Sequence, residues 1–450
     1  MNWLIERMMQ NGARTAVIFK EEEYTYQKMY DLIRRYYKNV ARQLKQGEII
    51  AIESDYSFEA IALFFALVEN KNIVVPITTK VESDISNKIK ASDCDYSIKI
   101  EDGELCLLKQ GGRTEVHPLI IQLRKEGNAG LILFSSGSTG VPKAMIHNLD
   151  NLIDSFREKK GKKLTFLIFL MFDHIGGLNT LLNCLAMGVT MVFPQGRTPE
   201  RVCGLIEKYK VNILPASPTF LNLVLISEAY LKYDMSSLRM ITYGTEAMPD
   251  SLLLKLKESF PKVKFLQTFG TSETGIMQTS SKSSTSTFIK IDDPNTEYKI
   301  VNGELWIKSK TQIMGYLNSG MERFTIDGWF KTGDLVEQAE DGYIKIIGRN
   351  QEMINVGGEK VLPSEVESVL FRMQEIKDCV VYGETNPITG QMVVAEVLLN
   401  EKLKTIEIKK RIMAFCTGKL ERYKIPVKVI VKPEIEFSER FKKVRNILIQ

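Results

Sequence analysis

The chain has 450 residues, of which 44% are hydrophobic and 26% charged, a composition typical of a folded protein rather than a disordered one. Its 60 lysines and arginines against 55 aspartates and glutamates give a net charge of +5, too small a bias to indicate nucleic acid as a partner. No apolar run approaches the ~20 residues of a membrane span, and the N-terminus lacks a signal-peptide pattern, so we expect a cytoplasmic protein.

From residue 47 onward, short β-rich runs alternate with amphipathic runs of helical length. The predicted strands are residues 48–52, 72–77, 131–134, 164–172, 190–193, 211–215, 239–243 and 264–268. The predicted helices are residues 58–70, 177–187, 200–210, 219–232 and 250–260. Continuous apolar strands separated by helices indicate an α/β domain with mainly parallel sheets covered by helices on both faces.

The pattern changes after residue 275. Residues 279–287 are nearly all Ser, Thr and Lys and are predicted as a loop, and alternating segments near residues 304–347 predict a β-rich subdomain. The last hundred residues predict a separate α+β unit. Its predicted helices are residues 363–373 and 406–420, and its predicted strands are 379–383, 393–399 and 427–431. We therefore predict a large N-terminal domain of residues 1–349 and a small C-terminal domain of residues 350–450.

A loop rich in glycine and hydroxyl groups follows the predicted strand at residues 131–134. Its sequence is Phe134-Ser135-Ser136-Gly137-Ser138-Thr139-Gly140-Val141-Pro142-Lys143. Glycines let several backbone N–H groups converge on one point, while hydroxyls and a lysine add donors and charge, which is how a loop holds phosphate oxygens. It is not the common P-loop, because no Gly-Lys-Ser/Thr ends it. The alternative is a flexible surface loop.

Three later segments also carry polar groups. Residues 267–275 end a strand and contain Glu273, and a carboxylate close to phosphates indicates a divalent cation between the anions. Asp334 follows a glycine and can accept hydrogen bonds from a ribose diol, or merely cap its own turn. Residues 348–367 lie at the domain boundary and are either a hinge along a ligand path or an ordinary interdomain loop. The six cysteines are scattered and only three histidines occur, so no zinc site is expected.

Taken together and in this order, the four segments resemble the motifs of the adenylate-forming superfamily, which includes acyl-CoA synthetases, peptide-synthetase adenylation domains and luciferases. The resemblance covers residues 132–445. The phosphate-loop pattern departs only at Ala144, where the family has a glycine. In the second motif, Phe269 replaces a tyrosine and Ser272 a threonine, which keeps a ring and a hydroxyl. The Thr-Gly-Asp motif matches at residues 332–334.

The resemblance implies that ATP and a carboxylic acid give an acyl-adenylate, whose acyl group then passes to the thiol of CoA or of phosphopantetheine on a carrier protein. It implies that the β- and γ-phosphates are held by Ser135, Ser136, Gly137, Ser138, Thr139, Gly140 and Lys143. The implied adenine slot consists of Gly244, Thr245, Glu246 and Ala247 on one side and Phe269 and Gly270 on the other. The remaining implied roles are Ser272 near the α-phosphate, Glu273 for Mg²⁺, Asp334 for the ribose, and Arg349 for ribose and phosphate.

The family also supplies one lysine near the C-terminus, which neutralises charge during adenylation. Alignment places that lysine at Lys442, with the adjacent Lys443 as the competing assignment. The segment departs from the family pattern at Glu436, where proline is usual, and at Phe441, where glycine is usual.

A mobile C-terminal domain is part of the same resemblance. In the family this domain rotates between an adenylation state and a thioester-forming state, about a hinge residue that is usually Asp or Lys. That position falls on Gln351, which has no charge to anchor either state. Gly357 and Gly358 resemble the segment that lines the thiol tunnel in the second state.

Residues 171–178 occupy the family's acyl-pocket position and fit two patterns. His174 fits acyl- and aryl-CoA ligases, whereas Asp173 fits amino-acid adenylation domains, in which an aspartate pairs with the substrate amine. A buried carboxylate needs a cation or a proton, so an inward Asp173 indicates an amino acid and an outward one an acyl or aryl acid. Position alone adds four candidates to the pocket, namely Ser217, Thr219, Tyr243 and Thr268.

The resulting prediction is a stand-alone acid–thiol ligase acting on a small carboxylic acid, with free CoA or a separate acyl carrier protein as acceptor. One alternative is an amino-acid-adenylating enzyme that loads a carrier protein. A second is a degenerate nucleotide-binding member without thioester activity, because the departures at Gln351, Glu436 and Phe441 all lie in the C-terminal part. A purely structural protein would leave the phosphate loop unexplained.

Overall fold

Two seven-stranded sheets organise the N-terminal part of the chain in the computed structural model, which describes residues 2–101, 103–111, 115–135, 142–438 and 441–445. The first sheet contains, from edge to edge, β13 (Lys264–Gln267), β12 (Met240–Tyr243), β11 (Ile213–Ala216), β9 (Thr165–Leu167), β10 (Thr190–Val192), β1 (Thr15–Phe19) and β2 (Glu22–Thr25). The second contains β20 (Gly315–Tyr316), β8 (Lys143–Asn148), β7 (Gly130–Ser135), β4 (Ile73–Ile77), β3 (Ile49–Glu53), β5 (Tyr96–Glu101) and β6 (Glu104–Lys109). Parallel pairs form the centre of each sheet, and antiparallel strands are added towards the edges.

Helices cover and separate these sheets. They are α1 (Asn2–Gln10), α2 (Tyr26–Gln43), α3 (Phe58–Glu69), α4 (Glu82–Ala91), α5 (Pro118–Lys125), α6 (Leu149–Asp154), α7 (Ile175–Met187), α8 (Pro199–Tyr209), α9 (Pro218–Ser227), α10 (Ala229–Lys232), α11 (Asp250–Ser259), α12 (Pro363–Leu370) and α13 (Thr405–Cys416). Among the described residues, none of these helices is both long enough and apolar enough to cross a membrane.

Helix α3 shows how the central core forms. Its sequence is apolar on every side, and ten of its twelve residues are buried. Ser57 begins the helix by accepting a hydrogen bond from the Ala60 backbone N–H at 3.0 Å. A helix without a polar face must be enclosed, and the largest core cluster indeed joins α2, α3 and α7 to strands of both sheets.

A six-stranded antiparallel sheet forms the predicted β-rich subdomain. Its order is β16 (Thr279–Ser281), β17 (Ile289–Ile291), β22 (Ile344–Arg349), β21 (Phe330–Gln338), β19 (Glu304–Ser309) and β18 (Thr296–Val301), and a hairpin of β14 (Phe269–Thr271) and β15 (Gly275–Met277) precedes it. The C-terminal sheet contains β24 (Glu359–Val361), β23 (Ile354–Val356), β26 (Gly390–Leu399) and β25 (Ile376–Asn386), with β27 (Lys428–Val431) parallel to β26. The C-terminal residues have their own hydrophobic cluster, packed against α12 and α13.

The α/β architecture with mainly parallel sheets and an α+β C-terminal unit is therefore confirmed, while several element boundaries were wrong. The predicted strand at residues 164–172 ends at Leu167, because side chains take the backbone bonds beyond it. The Phe169 carbonyl accepts from Arg197 Nε at 2.6 Å, and the Phe172 N–H donates to Asp55 at 3.2 Å. The predicted helix at 219–232 is split at Glu228, whose φ is +54°.

We expect truncation inside α3 to lower the free energy of unfolding much more than the same truncation on the surface. Leu63 is fully buried, and Leu63→Ala should cost about 2–5 kcal/mol through lost burial and a cavity. Leu231 is 67% exposed, so Leu231→Ala should cost under ~0.5 kcal/mol. Tryptophan fluorescence during urea unfolding measures both, because Trp3, Trp306 and Trp329 all precede residue 350. Equal midpoints for the two variants would contradict this role of α3.

Candidate active site

The carboxyl ends of three neighbouring parallel strands define one edge of the site. Ala216, Tyr243 and Gln267 lie side by side at the ends of β11, β12 and β13. Because these strands run in the same direction, the turns that follow them emerge at the same edge of the sheet, where ligands of open α/β sheets bind. The predicted segments 217–219, 244–247 and 268–270 are therefore brought together by strand register alone.

A cavity of about 930 Å³ lies at this edge, between the N-terminal domain and the C-terminal tail. Predicted residues that line it are Ser135, Lys143, His174, Gly244, Thr245, Thr268, Phe269, Gly270, Ser272, Glu273, Arg349 and Lys442. An adjoining cavity of about 170 Å³ shares several of these and adds Thr219, Glu246, Ala247 and Asp334. The start and end of the phosphate loop thus share a cleft with Glu273. The predicted residues Ser136, Gly137, Ser138, Thr139 and Gly140 lie outside the described residues.

Two positions in the cavity wall near Phe269, Gly244 and Gly270, have room only for glycine. A Cβ at Gly244 would lie 2.7 Å from the Thr268 carbonyl oxygen, and a Cβ at Gly270 would lie 2.4 Å from the Gly275 carbonyl oxygen. Both distances are too short for any other residue without movement of the backbone. The Phe269 ring lines both cavities beside these bare backbone segments, which leaves a flat space suited to a planar base.

Glu273 is held in the cavity wall by a tyrosine that the sequence analysis missed. The Tyr316 hydroxyl donates to Glu273 Oε1 at 3.0 Å, and both side chains are buried. Burial, followed by the charge and hydrogen bond of Glu273, raises the pKa of Tyr316, so it stays a donor. The Lys143 ammonium lies 6.0 Å from the centre of the same ring. No local sequence signal links Tyr316 to a residue 43 positions away.

A single carboxylate limits which metal this wall can hold. Among the residues that the structure describes, no group of three or more His, Cys, Asp or Glu side chains is close enough to bind a metal ion unaided. Mg²⁺ typically uses one or two protein carboxylates together with substrate phosphates and water. Glu273, which is buried at 8% exposure and lines the cavity, fits that pattern.

Asp334 and Arg349 form a cross-strand pair in the β-rich subdomain. They are register partners on β21 and β22, and Arg349 Nε donates to Asp334 Oδ1 at 2.9 Å. The Asp334 charge raises the pKa of Arg349. Asp334 is buried, and its other oxygen, Oδ2, has no hydrogen-bond partner among the described residues. A buried acceptor facing a cavity is an energetic cost unless a ligand donor reaches it, so Asp334 Oδ2 is suited to a hydroxyl group.

The tail places its two adjacent lysines in different surroundings. Lys442 lines both cavities. Lys443 points into the C-terminal domain, where its ammonium lies 2.7 Å from Asp378 Oδ1 and donates to the Cys379 carbonyl at 2.7 Å. Burial alone would lower the pKa of Lys443, but the carboxylates of Asp378 and Glu367 hold it above its usual value. Lys443 therefore lines only the smaller cavity, with its ammonium engaged by Asp378 and Cys379, whereas Lys442 lines both cavities.

Three predicted acid-pocket residues do not line either of the two cavities. Tyr243 is buried in the sheet core, because strand residues alternate between faces and its neighbour Thr242 is the one that lines the cavity. Ser217 caps α9 and donates to the Phe441 carbonyl at 2.7 Å. Asp173 is buried at 5% exposure with its carboxylate 3.7 Å from the Lys88 ammonium, and it is not among the cavity-lining residues.

The end of the larger cavity near His174 is lined by both apolar and polar side chains, the latter including Asn179, Thr180 and Asn183. His174 begins α7, where its Nδ1 accepts from the Gly176 N–H at 3.1 Å, and it lines the cavity. The apolar wall nearby consists of Leu164, Phe166, Ile175, Met187, Ile213, Met240 and Leu266. Lys159, Lys160 and Lys162 also line this cavity. Amphipathic alternation along β12 would have identified Met240 and Thr242, but not the lysines.

The predicted thiol-tunnel glycines lie elsewhere in this arrangement. Gly357 and Gly358 form the turn between β23 and β24, both with positive φ. Neither is among the residues that line the two cavities. Gln351, the predicted hinge, does line the larger one.

Comparison with known proteins gives two family matches along the chain. Residues 4–317 match the sequence model of the AMP-binding enzyme family, and residues 365–442 match that of the AMP-binding enzyme C-terminal domain. The chain is 31% identical over 319 residues to "Probable CoA ligase CCL5" of Humulus lupulus, covering 64% of this chain and 57% of that protein. It is 22% identical over 473 residues to the 2-succinylbenzoate–CoA ligase of Listeria monocytogenes, covering 99% and 98%.

Solved structures show the same fold. An anthranilate CoA ligase, AuaEII, crystallised with anthranoyl-AMP, superposes with a TM-score of 0.81 over 98% of this chain and 95% of its own, at 21% identity. The o-succinylbenzoate CoA synthetase of Bacillus subtilis superposes with a TM-score of 0.76 over 100% and 98%, also at 21% identity. With more than half of its length matched, the chain belongs to the AMP-binding enzyme family, the adenylate-forming superfamily that its four motifs predict.

Proposed function

We propose that this chain activates a carboxylic acid with ATP and transfers the acyl group to a thiol, as an acyl-CoA ligase does. The observation that carries the proposal is the convergence of Lys143, Glu273, Arg349 and Lys442 with the open Asp334 carboxylate on one cleft. Three cations and one buried acceptor without a hydrogen-bond partner among the described residues suit a nucleoside triphosphate. The names of the relatives in Humulus lupulus and Listeria monocytogenes support the same activity.

In the first half-reaction, a carboxylate oxygen attacks the α-phosphorus of ATP. An acyl–phosphate bond forms, the bond to the β-phosphate oxygen breaks, and pyrophosphate leaves with the electron pair. The carboxylate is already nucleophilic, so the protein must chiefly align two anions and neutralise charge in the transition state. We assign the neutralisation to Lys442, nucleotide positioning to Asp334 and Arg349, and the adenine slot to Phe269.

Mg²⁺ is part of this proposal. Bound at Glu273, it would supply positive charge to the phosphate oxygens. The chain's own contribution is orientation: the Tyr316 hydroxyl occupies one oxygen of Glu273 and leaves the other for a ligand. Ser272, which lines the same cavity, is assigned to the α-phosphate.

In the second half-reaction, a thiol attacks the acyl carbon. A carbon–sulfur bond forms, the bond to the AMP oxygen breaks, and the thiol proton is released. We propose that rotation about Gln351 brings Gly357 and Gly358 to the path of the incoming thiol, since in the present arrangement they lie outside the cavities. The thiol belongs to CoA or to a carrier-protein pantetheine, and assays with each acceptor distinguish them.

The acid is proposed to be an acyl or aryl acid rather than an amino acid. Asp173 is directed to Lys88, so no carboxylate at that position meets a substrate amine. The wall beyond His174 includes several apolar side chains that suit a ring or an alkyl chain, together with Asn179, Thr180 and Asn183. Because Lys159, Lys160 and Lys162 also line this cavity, acids with a second carboxylate belong among the candidates.

Acid-dependent exchange of pyrophosphate into ATP tests the activity directly. We expect exchange with an acid from the aryl, aliphatic or dicarboxylic members of a panel, and none with free amino acids, because Asp173 is not among the residues that line the cavity. Each exchanging acid is then offered with CoA to detect the thioester. Exchange confined to amino acids would favour the carrier-loading alternative, and ATP binding without exchange for any acid would favour the degenerate one.

Lys442 and Lys443 are separable by paired substitutions. Lys442→Met should lower the exchange rate by about 100- to 1,000-fold, the loss typical of one transition-state charge contact, and should change stability much less than Lys443→Met does. Lys443→Met should instead lower stability by about 3–5 kcal/mol, because Asp378 is left buried and unpaired. Lys404→Met, at an exposed position of the same domain, is the control. The reverse pattern would transfer the catalytic role to Lys443.

Asp334→Asn should weaken ATP binding. Hydrogen bonds to a charged group contribute about 1.5–3 kcal/mol, so the KM for ATP should rise roughly 10- to 150-fold with little change in the KM for the acid. Asp327→Asn, at an exposed site of the same subdomain, should leave both constants unchanged. If the two variants had the same KM for ATP, the ribose role of Asp334 would be refuted.

A further inference from the structure

Phe441, the residue before Lys442, has a backbone conformation that suits glycine. Its φ is +52°, in the left-handed region that bulky L-residues rarely adopt. The superfamily pattern described above has glycine at this position. A phenylalanine here must therefore be stabilised by what its side chain contacts.

The Phe441 ring packs into the N-terminal domain. Its centre lies 5.1 Å from that of Phe169 and 5.4 Å from that of Phe220, both fully buried at the carboxyl edge of the first sheet. Phe437, on the tail itself, stacks on the other side at 5.3 Å. One ring of the C-terminal tail thus joins the hydrophobic core of the other domain.

Polar contacts hold the backbone on both sides of Lys442. The Phe441 carbonyl accepts from the Ser217 hydroxyl at 2.7 Å. The Lys443 N–H donates to Glu246 Oε2 at 3.4 Å, and the other Glu246 oxygen accepts from the Thr219 N–H at 2.8 Å. The residues before and after Lys442 are therefore fixed to the N-terminal domain, while its own side chain is left at the cavity.

We propose that Phe441 is a positioning residue that seats Lys442 for adenylation and biases the C-terminal domain towards that arrangement. The inference rests on the proposed function, in which this domain rotates between the half-reactions. Rotation would withdraw the ring from Phe169 and Phe220, so these contacts stabilise one arrangement only. An interaction present in one of two states shifts their populations by its own free energy.

A different role for Phe441 must be separated from this one. A narrow gap beside the ring is also lined by Met171 and His174, so Phe441 lies near the acyl end of the site. If it were mainly a wall for the acid, its removal would change which acids are accepted. If Phe441 instead positions Lys442, its removal should leave the acid preference unchanged.

Phe441→Gly is the decisive variant, because glycine favours a φ of +52° and the turn keeps its backbone while losing only the ring. With the best acid of the wild-type chain, we expect kcat for pyrophosphate exchange to fall about tenfold, the equivalent of 1.4 kcal/mol, with the KM for ATP changed less than about twofold. Thioester formation from supplied acyl-adenylate should be unchanged or faster. Phe441→Leu, which keeps apolar contact, should recover part of the exchange rate.

Hydrogen–deuterium exchange gives a readout that needs no substrate. Amides of residues 437–445 and 166–170 should exchange faster in Phe441→Gly than in the wild-type chain, because the ring no longer packs against Phe169 and Phe220. Three results would each overturn the inference: unchanged amide exchange at residues 437–445 and 166–170, an equal loss of both half-reactions, or an altered acid preference. Absence of pyrophosphate exchange in the wild-type chain with every acid would instead count against the proposed function, while the amide measurement would still test the seat.

Discussion

The parallel register of β11, β12 and β13 is the constraint on which the site depends. It fixes Ala216, Tyr243 and Gln267 side by side, so the three turns that follow these residues leave the sheet at the same edge. Each turn then has a separate task. The turn at Ser217 contacts the C-terminal tail, the turn at Gly244 lines both cavities, and the turn after Gln267 leads to Glu273.

The tail of the C-terminal domain contributes Lys442 to this edge of the sheet. Because neighbouring residues of an extended segment point in opposite directions, burying Lys443 against Asp378 turns Lys442 outward. A buried ion pair contributes little net stability, but breaking it is costly. The Lys443–Asp378 pair therefore specifies which of the two adjacent lysines faces the C-terminal domain. Arg445 forms a second ion pair with Glu367, which also ties the tail to the C-terminal domain.

Motifs carried most of what could be predicted. Apolar runs separated by helices predicted the sheet class, and the family motifs grouped Ser135, Lys143, Glu273 and Asp334. These four residues do not all lie on one sheet, so strand register alone could not have grouped them. Orientation could not be predicted in the same way. Tyr243 faces the core and Thr242 the cavity, a choice set by where the strand begins. Asp173 turns to Lys88 and Tyr316 to Glu273, and these are tertiary contacts with no local pattern.

Helix α3, with ten of its twelve residues buried, also constrains how the chain can be assembled or divided. If only one of the two seven-stranded sheets had formed, the opposite side of α3 would expose a continuous hydrophobic surface to water. Neither sheet is therefore an autonomous folding unit, although each alone resembles a complete domain in size and topology. Gene fragments that separate the sheets should yield aggregating halves, whereas a cut in the short segment after Arg349 keeps the central and C-terminal clusters whole and removes the Phe441 ring from the N-terminal domain.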